Sequence, residues 1–300
     1  MTAAHLQGIG FGLGTALCQS LYYLFVRRFV AHTNRSPVLL LVVSHVLMGA
    51  AAAVVLLVLW PRHLPEAAAC AGPLAGAACF YLAAQFSLFH ILRKVESSRV
   101  APLLGTKIVV LAVLTVVFLR QGLGVQQWLA VALSAVAARL LNEAGGRLPL
   151  KYIALLSLTV LGYCLSDLSI GVLMRRLAGI GPTAPLLGAA LTYVLCAGLT
   201  LPFAFRREAR DPRVWAAAAP CAVAWFVAMV LLYACFGLLG VVFGNIVQAT
   251  RGLMAVALGW AVARIGHTHI EAHAPRGVFW RRLGGAALVM AAMALYLCAR

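Results

Sequence analysis

The chain of 300 residues is 64% hydrophobic and 10% charged, against about 45–50% and 25% in soluble globular domains. No soluble fold of this length buries so much apolar surface. The formal charge of +17 does not point to nucleic acid, because the basic residues lie scattered between hydrophobic blocks and form no patch or stripe on a compact domain. Lipid is therefore the solvent for most of the chain, and membrane lipid is its expected partner.

The apolar blocks run to about twenty residues, the length a helix needs to cross a hydrocarbon core. They predict an all-α membrane protein with ten transmembrane helices, near 7–26, 37–60, 69–91, 99–119, 124–141, 153–174, 182–204, 215–237, 241–264 and 279–298. Continuous blocks, as opposed to ten-residue alternating segments, exclude a barrel, and a helix satisfies its own backbone inside lipid. The first block is expected to stay in the mature protein. Residues 1–7 hold no Lys or Arg, and the apolar run is too long, and too polar at Gln19 and Ser20, for a secretory signal. The eight cysteines form no C-x-x-C pair and read as small packing residues.

Lys and Arg sort by side. Loops 1/2, 3/4, 5/6, 7/8 and 9/10 hold 17 of them, led by Arg27, Arg28, Arg206, Arg207, Arg210, Arg213, Arg281 and Arg282, against 5 on the opposite face. Because basic residues accumulate in short cytoplasmic loops, this bias places both termini outside the cytoplasm. The two remaining cations, Lys107 and Arg251, fall inside spans. A charge at membrane depth costs roughly 2.5–3.5 kcal/mol even on lenient insertion scales, so such residues usually face a bundle interior or a wet cavity. Each stands about seven or more residues from the ends of its span, roughly 10 Å at 1.5 Å per residue, which is long for snorkelling.

The chain resembles itself. Leu13-Gly14, Leu17, Gln19 and Arg27-Arg28 of the first span match Leu161-Gly162, Leu165, Asp167 and Arg175-Arg176 of the sixth at a constant offset of 148, and Thr106-Lys107 matches Thr250-Arg251 at 144. Two five-helix repeats follow, residues 1–144 and 145–300. Five is odd, so the second inserts upside down relative to the first. Inverted repeats are a common construction for secondary transporters, with the substrate site near the midplane at the repeat interface. Lys107 and Arg251 become pseudo-symmetric partners, as do Gln19 and Asp167.

Ten spans in a five-plus-five arrangement, the segment 95–142 with its counterpart 241–264, and the passage Gly122-Leu123 to Gln126-Gln127-Trp128-Leu129 from the fourth span into the fifth resemble the EamA-type transporters of the drug/metabolite transporter superfamily. The passage is similar to that family's short loop and "Q-W-L-G" helix start. Two positions depart from the pattern: Gln121 stands where the family often has an acidic residue, and no Pro follows Lys107 within the fourth span. The resemblance implies a pathway between the repeats lined by helices 1, 3, 4, 6, 8 and 9. It implies a small-molecule substrate drawn from a range that runs from metabolites, amino acids and sugar phosphates to amphipathic toxins. It also implies cytoplasmic termini, against the charge bias. The 17-to-5 imbalance is taken as the guide to orientation, in what is expected to be the cell membrane, the inner membrane of a bacterium.

Helical spacing selects the polar residues of that pathway. Gly244, Gln248, Arg251 and Ala255 form a stripe on the ninth span with Asn245 beside it. Tyr163 and Asp167 are four apart on the sixth, Thr15, Gln19 and Tyr22 align on the first, and Tyr81 and Gln85 align on the third. Candidate substrate-binding residues are therefore Lys107, Arg251, Gln248, Asn245, Gln19, Tyr22, Gln85 and Tyr163, with Asp167 as a coupling group or an ion-pair partner. Helix-to-helix hydrogen bonding is the bland alternative for the neutral ones. Two cations and one carboxylate leave net positive charge, and a guanidinium grips a carboxylate or phosphate through two parallel hydrogen bonds. The expected substrate is a small organic anion. The alternative is a proton-coupled exporter of cationic or amphipathic compounds that uses Asp167, with Tyr22, Tyr81 and Trp225 along the path; more remote is a membrane-embedded enzyme or a non-transporting protein.

Nothing points to a cofactor. The run Gly8, Gly10, Gly12 and Gly14 has no preceding strand and the wrong period for a dinucleotide fingerprint, and reads as close helix packing. His267, His269, Glu271 and His273 share one polar loop, but metal ligands need a fixing outer shell, and no metal site is assigned. No nucleophile elbow, P-loop or H-E-x-x-H occurs, so the chain is not expected to be an enzyme. A homo-oligomer is compatible with the sequence.

Overall fold

A computed structural model describes residues 2–61, 67–92, 107–120, 122–141 and 150–251, together with isolated positions between 254 and 298. Nine α-helices occur among the described residues: α1 (Ala3–Thr33), α2 (Pro37–Leu59), α3 (Ala67–Leu92), α4 (Lys107–Leu119), α5 (Val125–Leu141), α6 (Leu150–Leu177), α7 (Ala184–Ala204), α8 (Pro212–Leu239) and α9 (Val241–Gln248). No strand occurs among them. Six helices are long and apolar enough to cross a membrane, and Lys107–Leu119 and Val125–Ala137 form shorter apolar helices. Half of the residues expected to form the tenth span, 279–298, lie outside the described set.

The helix ends follow local chemistry. Asn34, in the left-handed region at φ 50°, closes α1 with its N–H on the Val30 carbonyl. The Ser36 side chain then accepts the Leu39 N–H, and Pro37 takes the first turn of α2, where its missing N–H costs nothing. Asp211 and Pro212 open α8 in the same way. Gly240, at φ 80°, is the single residue between α8 and α9, a conformation that a side chain would oppose.

Polarity is distributed in the reverse of a soluble domain. Leu57, Val58, Phe118 and Phe205 are exposed by 66–85%, while Gln19, Asp167, Asn245 and Gln248 retain at most 6%. Such an apolar exterior is a liability in water and a requirement in lipid. The chain is a multi-pass membrane protein whose described elements are all helical.

The most extensive helix pairings are α1 with α8, α3 with α6 and α2 with α7. Small residues let the backbones approach, as expected where lipid removes the hydrophobic drive between helices. A Cβ on Gly162 would fall 3.0 Å from the Ala84 Cβ, and one on Gly49 only 2.1 Å from the Ala197 Cβ. Of the N-terminal glycine run, a Cβ on Gly8 or Gly12 would run into Leu239 of α8 or Val247 of α9, whereas one on Gly10 would meet nothing within 4 Å.

One element differs from the sequence reading. The ninth span, expected as a continuous helix over 241–264, turns at Ala249 and Thr250 before helical geometry resumes at Arg251. The Thr250 N–H (3.1 Å) and its hydroxyl (2.8 Å) both donate to the Val247 carbonyl, three residues back. That doubled i−3 bonding tightens the turn. The i−4 spacing returns with the Met254 N–H on the Thr250 carbonyl at 3.1 Å.

The α2–α7 crossing supplies a test. Ala is normally the better helix former than Gly by roughly 0.5–1 kcal/mol, yet Gly49→Ala should lower the stability of the detergent-purified protein by about 1–3 kcal/mol through overpacking. Gly10→Ala should be neutral or slightly stabilising in the same thermal-unfolding measurement.

Candidate substrate site

Helices α1, α3, α4, α6, α8 and α9 bring their polar residues to one cavity. Gln19, Tyr23, Tyr81, Lys107, Tyr163, Asp167, Trp225, Gln248 and Arg251 line it, with Ser166 and the apolar Leu88, Met229 and Leu232. About 70 Å³ is open to the centres of water molecules. One water needs roughly 10–15 Å³ by that measure, so the cavity has room for several.

Its two cations are compensated differently. Lys107 Nζ stands 2.7 Å from Asp167 Oδ2, an ion pair between α4 and α6. Asn245 Nδ2 donates to the same oxygen at 2.8 Å and to its own helix at the Val241 carbonyl, so α9 holds the carboxylate in place. The Lys107 ammonium also lies 5.7 Å from the centre of the Tyr163 ring, within cation–π range. The ion pair, the Asn245 bond and the ring contact together relieve much of the cost of a charge at membrane depth.

Arg251 has no carboxylate partner among the described residues. Its Nη1 donates to Gln19 Oε1 at 3.0 Å, and its guanidinium lies 5.8 Å from the centre of the Tyr23 ring. Gln248 Nε2 donates to the same Gln19 oxygen at 3.1 Å, and the Ser20 hydroxyl donates to the Arg251 carbonyl at 3.0 Å. Arginine has donors only, which fixes the Gln19 amide with its oxygen toward α9. Lys107, Asp167 and Arg251 together leave one uncompensated positive charge, that of Arg251.

The sequence-selected residues fall into three groups. Lys107, Arg251, Gln248, Gln19, Tyr163 and Asp167 reach the cavity. Asn245 and Gln85 act one step behind it, Asn245 on Asp167 and Gln85 as acceptor of the Tyr163 hydroxyl. Tyr22 is 4% exposed and packs on Trp225, with ring centres 4.6 Å apart. Its neighbour Tyr23 takes the place at the wall, about 100° further round the helix. Ala255 and the loop residues His267, His269, Glu271 and His273 lie outside the described residues, within which no group of three or more His, Cys, Asp or Glu could hold a metal ion.

Other site residues had no sequence signal beyond polarity. The Ser166 hydroxyl donates to the Ala77 carbonyl and joins α6 to α3. Away from the cavity lining, His45 donates its Nδ1–H to the Leu41 carbonyl (2.7 Å), stacks on Tyr193 with ring centres 5.9 Å apart, and leaves Nε2 buried without a partner among the described residues.

The Lys107–Asp167 contact predicts a non-additive stability cycle. Lys107→Gln or Asp167→Asn alone strands a charge and should cost about 3 kcal/mol. The double variant should be less destabilised than the sum of the two by more than about 1 kcal/mol; additive losses in chemical unfolding would contradict the pairing.

Residues 6–143 match the model of the EamA-like transporter family. No curated protein matches the chain. A solved structure described only as "Crystal structure of protein" superposes with a TM-score of 0.64 at 13% identity, covering 96% of this chain and 97% of the other; at that identity it establishes the fold alone. Over residues 6–143, just under half of its length, the chain is similar to the EamA-like transporters.

Proposed function

We propose that the chain is a secondary transporter that moves a small organic anion by alternating access between two inverted five-helix repeats, residues 1–144 and 145–300. The observation that carries the anion assignment is Arg251, a guanidinium lining the cavity with no carboxylate partner among the described residues. A carboxylate or phosphate entering the cavity supplies the missing countercharge and takes the guanidinium's remaining donors. Lys107 and Asp167, already paired, serve this reading as the link between α4 and α6 and not as the anion anchor.

Reciprocal packing supports the repeats. When each helix of the first five is exchanged for the one five places later, the α1–α8 pair becomes α6–α3, α2–α7 returns to itself, and α1–α9 becomes α6–α4; all of these pairs are packed. Gly49 and Ala197, in contact at the α2–α7 crossing, stand 148 apart, the offset that relates the first and sixth spans. The family match over 6–143 ends at the proposed boundary.

A second reading has its own observation. Tyr23, Tyr81, Tyr163 and Trp225 line the cavity beside Asp167, a set that suits a cationic or amphipathic compound exchanged against a proton. The two readings part on mutation. In proteoliposomes, Arg251→Gln should reduce uptake of organic anions by at least about tenfold, the loss of one charge-assisted contact, while preserving monodispersity; unchanged uptake would sink the anion site. Cation efflux abolished by Asp167→Asn and indifferent to Arg251→Gln would establish the second reading instead.

The orientation proposed from the 17-to-5 distribution of basic residues places both termini on the non-cytoplasmic side of the cell membrane. Alkaline phosphatase fused after Arg300 should then be active in intact bacterial cells, and an inactive fusion with normal expression would reverse the topology.

A further inference from the structure

The two cations sit in equivalent places, and their neighbours differ by one functional group. Gln19 on α1 and Asp167 on α6 are 148 residues apart, Lys107 and Arg251 are 144 apart, and each member of the first pair touches one member of the second. Asp167 Oδ2 is 2.7 Å from Lys107 Nζ, and Gln19 Oε1 is 3.0 Å from Arg251 Nη1. Each acceptor also receives an amide from α9, Asn245 Nδ2 at 2.8 Å on Asp167 and Gln248 Nε2 at 3.1 Å on Gln19. The geometry is the same on both sides: a cation and a carboxamide converge on one side-chain oxygen. Only the charge on that oxygen differs.

We infer that Gln19 is the specificity-determining residue of the site: by occupying the carboxylate position of the pair with a neutral amide, it orients Arg251 without neutralising it and leaves the guanidinium to an anionic substrate. This rests on the anion reading and deepens it. The neutral oxygen accepts one hydrogen bond from the Arg251 guanidinium, while the Ser20 hydroxyl fastens the Arg251 carbonyl just after the turn at Ala249–Thr250. A carboxylate at the same place would accept the same two donors with charge assistance and satisfy the guanidinium from within the protein. Lys107 is in that satisfied condition already. The cavity is thus selective for anions on its α1–α9 side and self-compensated on its α4–α6 side.

The substitution Gln19→Glu is nearly isosteric, and the existing 3.0 Å and 3.1 Å contacts place its carboxylate against both donors without rearrangement. The experiment measures thermal stabilisation of purified protein by succinate, pyruvate and glycerol 3-phosphate, with tetraethylammonium as the cationic control. Wild type should be stabilised by at least one of the three anions. Gln19→Glu should be monodisperse, melt higher than wild type without ligand, and lose at least about tenfold in apparent anion affinity, since its own carboxylate now competes for Arg251. Gln19→Leu, which removes the oxygen but adds no charge, should lose less than Gln19→Glu. Asp167→Asn should bind the same anions more tightly than wild type, because Lys107 is released; this gain cannot arise from misfolding and decides the matter if Gln19→Glu fails to fold. Anion binding by Gln19→Glu equal to wild type, or no gain in Asp167→Asn, overturns the role of Gln19 and leaves the anion site standing. Absence of any anion effect on wild type overturns the anion site and this inference together.

Discussion

Two cations inside a lipid-facing bundle set the terms for everything around them. Each has to be solvated, paired or otherwise satisfied where it sits, because a charge at that depth cannot be left alone. The bundle answers by turning polar residues inward from six helices onto one cavity with room for water, while the outer faces of the helices are left apolar. Close small-residue crossings such as Gly162 on Ala84, between α6 and α3, bring those helices near enough for short side chains to meet. Asp167 is reached by Lys107 from α4 and Asn245 from α9, and Gln19 by Arg251 and Gln248. Removing Asp167 or Gln19 would take from Lys107 or Arg251 its side-chain acceptor, so the cluster ties helices together as well as composing a site.

That cluster also connects the architecture to the transport proposed for it. The Lys107–Asp167 pair joins α4 to α6, and the Arg251–Gln19 contact joins α9 to α1. In the two-repeat reading both contacts cross between the halves that exchange access, so each is a contact that a change of conformation could break. The ninth helix is interrupted immediately before Arg251, and an interrupted helix at a midplane site is how many transporters expose backbone and side chains to substrate. Thr250, by directing both its donors to Val247, makes the interruption a property of the sequence at that point.

Much of this was legible before any coordinates. Lys107, Arg251 and Asp167 stand out because each interrupts an apolar block, and the offsets of 148 and 144 matched Gln19 to Asp167 and Lys107 to Arg251. What the sequence did not reveal was which residues meet across helices. Spacing along one helix orders residues on a face, but not which face of a neighbour it meets, and the pairing of Asp167 with Lys107 was one of several arrangements. The choice between Tyr22 and Tyr23 turned on a single 100° step; the stripe through Thr15 and Gln19 selected Tyr22, whereas packing against Trp225 drew that ring into the core. The turn in the ninth span was invisible for a similar reason, since Ala249 and Thr250 are both acceptable in a helix and the deciding interaction is a side-chain bond to the backbone.

The central claim is that Arg251 holds the substrate's negative charge. The measurement that tests it most directly is a crystal structure of the protein soaked with a brominated carboxylate, with the bromine located by its anomalous signal. The account predicts that carboxylate in the cavity, its oxygens within hydrogen-bond distance of the Arg251 guanidinium while Lys107 stays on Asp167. A well-ordered bromocarboxylate bound elsewhere, or a cavity that stays empty at saturating anion, would contradict it.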